Sequence, residues 1–333
     1  MSMHSNIAFF IPHMGCKNLC SFCNQNIISG SITAPSFDEV KSACLKEYNR
    51  MTLNQRRNTQ IAFFGGSFTA ISRELMIGYL DCVQEFIGSN GFSGIRISTR
   101  PDAINDEILC ILKEKFVTSL ELGAQSMDDY VLRKNLRGHT AVQTEQACRK
   151  ILECDIELGM QIMVGLPGQS KQSVINTARR IVEIHPATIR IYPVVVFRGT
   201  LIEQWYNSGQ YMPLTLNEGV DLCSKLLELF NDNGINVIRL GLHAQKTMEE
   251  DIVAGLYHPA FKELCESKIY LNKLRRLFKI LKAGSYKILV NSSEVSKVVG
   301  HKKSNLKILQ DAGYFLKVVG DHSINIGDLK LIG

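Results

Sequence analysis

No stretch of the 333 residues is long and apolar enough to span a bilayer, which takes about 20 consecutive apolar positions. The chain shows no secretory segment. Seven of its ten cysteines (Cys44, Cys82, Cys110, Cys148, Cys154, Cys223 and Cys265) stand singly rather than in the spacings of a disulfide framework. These absences argue against membrane-spanning and disulfide-stapled classes and for a reduced, cytoplasmic protein; the single cysteines read as small core residues. A further absence concerns metal chemistry. Cys16, Cys20 and Cys23 lie within eight positions, and no second Cys or His pair stands nearby to close a four-ligand structural zinc site.

What is present is a polar loop with three thiols. Gly15, Lys17, Asn18, Ser21 and Asn24 surround the cysteines, so the loop does not read as a core face. A cube of four irons and four sulfides normally takes four cysteines. Three would leave one iron free to bind something else, with zinc as the competing reading. The spacing of three residues and then two, with Phe22 before the last cysteine, resembles the signature loop of radical S-adenosylmethionine (SAM) enzymes. That resemblance implies a [4Fe-4S] cluster whose free iron is chelated by the amino and carboxylate groups of SAM. It also implies a cellular one-electron reductant, whose electron breaks the sulfonium to give a 5′-deoxyadenosyl radical.

Length and a hydrophobic share of 45% suit one large domain plus a small one. Alternating patterns predict strands near 6–11, 60–64, 94–98, 118–122, 158–164 and 188–196, separated by helical stretches. Those stretches lie near 36–49, 72–88, 103–115, 128–154 (broken at Arg137 and Gly138), 170–184 and 216–233. The expected fold is α/β: a partial (β/α)6 TIM-like barrel of the radical SAM type over residues 1–245, a helical connector over 246–284 and a small α/β, KH-like module over 285–333. Polar or glycine-containing segments follow the strands: Gly65-Gly66-Ser67, Ser98 to Asp102, Glu121 to Ser126, Gln161 into Gly165, and Tyr192 with Arg198. In a barrel all of these open on the C-terminal rim, where barrel chemistry sits.

Together these segments are similar to the radical SAM domain of the Elongator catalytic subunit, and more distantly to oxygen-independent coproporphyrinogen oxidase. The most specific pieces are Pro12-His-x-Gly-Cys16, Thr99-Arg-Pro-Asp102, Gln125-Ser126 with Arg137-Gly-His-Thr140, and Ile191-Tyr-Pro193 with Arg198-Gly-Thr200. The resemblance implies that Cys16, Cys20 and Cys23 ligate the cluster, that Phe22 lies against the adenine and that Gly65, Gly66 and Ser67 receive the methionine amine. Gln125, Arg137 and Gln161 fall where relatives contact ribose and carboxylate, and an arginine can grip a carboxylate with two parallel hydrogen bonds. Ser98 and Gln161 replace carboxylates common in relatives, so neutral hydrogen bonds would hold the ribose. Some 90 residues follow the barrel, too few for Elongator's acetyltransferase domain, so no acetyl-coenzyme A is expected.

Charge is uneven along the chain. Residues 1–258 carry 24 Lys and Arg against 26 Asp and Glu, whereas residues 259–333 carry 14 against 6, which hints at a polyanionic partner at that end. Leu264, Leu271, Leu274, Phe278 and Leu281 recur at helical spacing and predict a helix packed on the barrel. Strand 286–290, helix 294–299 with Ser293 as its N-cap, the turn Gly300-His-Lys-Lys303, helix 304–311 and strand 314–319 follow in the order of a KH RNA-binding module. Gly300, His301, Lys302 and Lys303 would contact nucleic acid, with Lys303 standing where the module's second glycine is expected. A small basic cap on the barrel is the alternative. Three functions follow in order: a radical SAM enzyme acting on RNA, most plausibly tRNA; a radical SAM oxidoreductase acting on a small molecule; and an RNA-binding protein with a structural metal.

Overall fold

The structure is a computed structural model that describes residues 5–12, 14–16, 19–25, 27, 33–242 and 246–332, with Lys246 and Thr247 described by backbone alone. His13 of the Pro12-His-x-Gly-Cys16 motif, and Lys17 and Asn18 of the loop, lie outside the described residues. Strands β1 (Ser5–Ile11), β2 (Thr59–Gly65), β3 (Ile95–Thr99), β4 (Val117–Gln125), β5 (Glu157–Val164) and β6 (Thr188–Pro193) pair in chain order, each parallel to the next. These are the six expected strands. The stretch expected as one strand over 188–196 divides at Val194, and its second part, β7 (Val195–Phe197), leaves the sheet. A seventh strand, β8 (Asn236–Leu240), which the sequence pattern does not single out, extends the curled half-barrel beside β6.

Helices α1 (Phe37–Arg50), α2 (Leu53–Arg57), α3 (Arg73–Asp81), α4 (Asp106–Glu114), α5 (Asp129–Lys134), α6 (Ala141–Glu153), α7 (Lys171–Ile184), α8 (Leu201–Asn207) and α9 (Leu216–Asp232) connect the strands. Their starts are set locally: Ser36 with Glu39, Thr140 with Gln143 and Thr215 with Glu218 form reciprocal capping boxes. The 128–154 stretch breaks as expected, with left-handed Leu136 and Gly138 between α5 and α6. The barrel's outer face buries Ile61, Phe63, Ile95, Ile97, Leu120, Leu122, Ile189 and Ile191 against these helices, every second residue along each strand. Phe63 is fully buried and stacks on Phe9 and Phe68, with ring centroids 5.8 and 5.2 Å away.

Beyond the barrel, the stretch expected as helical over 248–283 divides. Short α10 (Lys246–Glu249) is followed by β9 (Ile252–Gly255), which pairs antiparallel with β7, and then by α11 (Phe261–Phe278). The apolar residues of α11 serve two cores. Phe261 and Cys265 join the barrel core, whereas Leu271, Leu274 and Phe278 join a second core with Ile288, Val290, Val298 and Leu309. The helix is therefore shared between barrel and module. In the module, β10 (Gly284–Val290) and β11 (Tyr314–Gly320) are parallel neighbours joined through α12 (Val295–Val299) and α13 (Ser304–Asp311), and β12 (Lys330–Ile332) adds an antiparallel strand on the other side of β10. The expected cap differs: Asn291, not Ser293, accepts the bond at the start of the 3-10 turn preceding α12. Of the single cysteines, Cys44, Cys148, Cys223 and Cys265 are buried as expected, and Cys110 is exposed.

Phe63→Ala should lower the unfolding free energy by about 3–5 kcal/mol, the usual cost of emptying a packed aromatic site. Urea unfolding measures it, and a loss below about 1 kcal/mol would show that the Phe9–Phe63–Phe68 stack contributes little to the core.

Candidate active site

The cysteine loop is held to the sheet by backbone contacts that leave no room for side chains. Gly66 N–H donates to Ile11 O at 2.8 Å and Ser67 N–H to Met14 O at 2.8 Å. A Cβ on Gly66 would lie 2.0 Å from Met14 O, and one on Gly15 2.3 Å from Ser67 O. The Gly65-Gly66 pair therefore holds the loop in place in addition to lining the cavity. The far side of the loop is tied to other elements: Ser21 Oγ donates to Asn135 Oδ1 at 2.7 Å, and Ile202 N–H donates to Ser21 O at 2.8 Å.

Cys16, Cys20 and Cys23 line one cavity of about 900 Å³ enclosed by the half-barrel. Burial raises the Cys16 thiol above its ordinary value, reinforced by nearby Cys20 and opposed by Arg100 and Arg137. Burial, followed by Cys20 and Cys16, pushes Cys23 up to about 12. Cys23 thus feels both of the other thiols and Cys16 feels Cys20, and a partner that brings positive charge would favour the thiolates of Cys16 and Cys23. Among the described residues, no three His, Cys, Asp or Glu side chains are gathered as ligands of one metal ion. The donor set and the room beside it fit a cluster plus an organic ligand.

Phe22, Gly65, Gly66, Ser98, Gln125, Arg137 and Gln161 line the same cavity, so the barrel brings together nearly all the expected cofactor residues. Gln161 Nε2 donates to Gln125 Oε1 at 3.4 Å, and Gln125 sits in left-handed backbone at a register break in β4. Ser67 differs: its side chain is buried, with Oγ 3.3 Å from Thr99 Oγ1. The Arg137 guanidinium is engaged by the protein itself. Its Nη1 donates to Cys20 Sγ at 3.0 Å and its Nη2 to Gly123 O. His139 is buried, and burial followed by the Arg137 charge lowers its pKa to about 4, so it is neutral near pH 7.

The expectation missed a charged layer deeper in the barrel. Arg96 bonds Glu121 at 3.1 Å, Glu157 at 2.7 Å and Gln60 at 2.8 Å. Arg190 approaches Glu121 at 2.6 Å, and its guanidinium lies 5.3 Å from the Phe64 ring centroid. Sequence carried a usable signal: Arg96 and Arg190 each stand between two isoleucines, and on a strand buried on its outer face that alternation points a charge inward.

In the module, the 300–303 turn has the conformation its sequence makes costly. Gly300 has φ +84, and a Cβ there would meet Asn305 N at 2.7 Å. Lys302 and Lys303 are both exposed and left-handed, at φ 51 and 62. His301 is half-buried and packs edge-on against His258, with centroids 5.7 Å apart.

A family model described as the Radical SAM superfamily matches residues 10–181, more than half of the chain. The chain belongs to the radical SAM superfamily. A second model, the Radical_SAM C-terminal domain, matches residues 186–271, ending within α11. Enzymes of this superfamily use a [4Fe-4S] cluster and SAM. Similar curated proteins include the uncharacterized protein MJ0486 of Methanocaldococcus jannaschii (27% identity, 66% of this chain and 65% of that one). They also include the tRNA uridine(34) acetyltransferase of Dehalococcoides mccartyi (24%, 62% and 52%) and the heme chaperone HemW of Lactococcus lactis (20%, 71% and 61%). The radical SAM chain spans about half to two thirds of the length of these relatives. Archaeal Elp3 of Methanocaldococcus infernus shares the fold, with a TM-score of 0.66 at 18% identity over 83% of this chain and 64% of that one. No helix among the described residues is long and apolar enough to cross a membrane.

Glu121→Gln would take from buried Arg190 its carboxylate partner and leave Arg96 with Glu157 alone. Stability should fall by about 3–5 kcal/mol in urea unfolding, as expected when one member of a buried ionic set is removed; a change under about 1 kcal/mol would mean that water already screens these charges.

Proposed function

We propose that this radical SAM enzyme modifies RNA, with a tRNA as its substrate. Cys16, Cys20 and Cys23 would hold the cluster, and SAM would lie between them and Gly65, Gly66, Ser98, Gln125 and Gln161, with Phe22 at its adenine. When bound, this cofactor pair supplies a 5′-deoxyadenosyl radical by one-electron cleavage of the sulfonium. The chain's own residues position and shield. Arg137 fixes Cys20 through its N–H to sulfur contact, a type of bond that orients a ligand and tunes the group it carries. Ser98 and Gln161, in place of the carboxylates of relatives, would give the ribose hydrogen bonds without adding negative charge. The half-barrel keeps competing hydrogen donors away.

One observation carries the RNA part. Lys302 and Lys303 stand side by side, exposed, on a tight turn between two short helices, and neither has a carboxylate within ion-pair distance among the described residues. A strand-helix-turn-helix-strand unit whose turn faces solvent is the layout by which a KH module grips a nucleic-acid backbone. The likeness to a tRNA uridine(34) acetyltransferase supports the choice of tRNA.

Anaerobic reconstitution followed by reductant and SAM should yield 5′-deoxyadenosine, and Cys20→Ala should abolish it; product undiminished in that variant would sink the assignment of the cluster site. Binding to a tRNA transcript should weaken with salt, and Lys302→Glu with Lys303→Glu should lower the log–log salt slope by roughly 0.7 to 0.9 for each phosphate no longer neutralised. If tRNA binding is absent or ignores both substitutions, a small-molecule substrate is the better reading.

A further inference from the structure

The cavity opens sideways. Strands β1 and β8 are the two edges of the seven-stranded sheet and do not pair with each other, and both contribute to the cavity wall: Phe10 from one side, Ile238 and Arg239 from the other. Phe10 and Ile238 remain 36% and 37% exposed, so an apolar rim faces outward at this gap. Phe10 lies across from Phe64, with ring centroids 6.2 Å apart, and both rings line the cavity. Lys262, in the first turn of α11, lines the cavity at the same side.

The 300–303 turn is anchored on that same helical turn. His301 packs on His258, and its Nδ1 lies 4.0 Å from the carboxylate of Glu263, the residue next to Lys262. Asn305, just past the turn, donates to Ser267 O at 2.9 Å and so fixes α13 to α11. The cations along this side fall into two sets. Lys268 pairs with Asp221 at 2.6 Å, and Lys297 lies 3.4 and 3.6 Å from Glu266 and Glu294. Lys262, Lys302 and Lys303 have no carboxylate within ion-pair distance among the described residues. Free cations thus run from the turn to the cavity mouth, and aromatic rings wait inside it.

We propose that an unpaired RNA strand gripped at 300–303 crosses Lys262 and delivers one nucleotide through the gap between β1 and β8, with its base against Phe10 and Phe64. This route rests on the RNA reading of the module and adds to it the form of the substrate: a nucleotide free of its pairing partner, in a loop or single-stranded segment. A base inside a duplex cannot pass such a gap without being flipped out, whereas an unpaired one brings its phosphates to the lysines and its π-face to the rings. The spacing between turn and mouth would set which nucleotide, counted from the gripped phosphates, reaches the radical.

The test uses the full chain and an RNA hairpin with 4-thiouridine in its loop, read by fluorescence anisotropy and by the position of the photo-cross-link. Wild-type protein should cross-link within β1 or β2 near Phe10 and Phe64. Lys302→Glu with Lys303→Glu should weaken binding by about tenfold or more at low salt, and Lys262→Glu should lower the salt slope by about 0.7, the share of one single-strand phosphate. Phe10→Ala should weaken binding about fivefold or more, the low end of one base–aromatic stack, and should abolish the cross-link. Unchanged binding in the double lysine variant overturns the RNA reading itself. Weakened binding in that variant, with affinity and cross-link untouched by Lys262→Glu and Phe10→Ala, leaves RNA as partner and overturns the route. So does equal competition by a fully paired RNA of the same length. Lys262 is exposed, so its variant keeps the fold and the readout stays interpretable.

Discussion

The site depends on one backbone-to-backbone contact, the docking of residues 14–16 against Gly65-Gly66-Ser67. With a prospective Cβ only 2.0 Å from a carbonyl oxygen, the two chains touch without side chains between them. Cys16 is thereby placed by the end of β2, while Ser21, between Cys20 and Cys23, is placed by Asn135 after α5 and by the start of α8. Partners from about 50 to 180 residues away fix a loop of eight positions. The loop therefore takes its place beside the cavity only once the sheet has curled, and not through any local preference of its own.

Curling creates an interior that must be filled, and this chain fills part of it with charge. Arg96, Glu121, Glu157 and Arg190 compensate one another two against two, and Arg239, in register with Arg190 on β8, adds a further cation to the same wall. Removing such charges from water costs several kcal/mol per ion, and the geometry recovers that cost only while every member is present. An apolar plug would pack as well. The ionic one leaves polar walls beside the Phe64 ring, which suits a ligand with a π-face and hydrogen-bonding edges.

How legible was this from residues alone? The six paired strands and the cysteine loop were, because parallel strands buried on one face by helices leave strong apolar runs and because three thiols in a polar loop have few uses. The seventh strand, Asn236–Leu240, was not: it is short, and its sequence alternates Asn, Val, Ile, Arg and Leu with edge exposure at Ile238. The partition of α11 was equally hidden, since Cys265 and Leu274 look alike as apolar positions and only tertiary packing assigns one to the barrel and the other to the module. Arg137 belongs to the cavity as its motif implies, but its bond to Cys20 is not written in the motif. Spacing along the chain says nothing about which of two neighbouring acceptors a long flexible side chain reaches.

Lys303 poses the remaining question of why a residue with a side chain stands at a left-handed position. A left-handed non-glycine residue costs roughly 1–2 kcal/mol, and Lys302 next to it adds the same cost again. The turn is held against that cost by Asn305, whose amide NH2 shares its two hydrogens among the Ser267, Lys297 and Val298 carbonyls; two bonds' worth at about 0.5–1.5 kcal/mol each offsets much of it. Glycine at 303 would remove the penalty without disturbing those bonds. The lysine therefore contributes nothing to folding that glycine would not exceed, and its exposed ammonium is what the position gains.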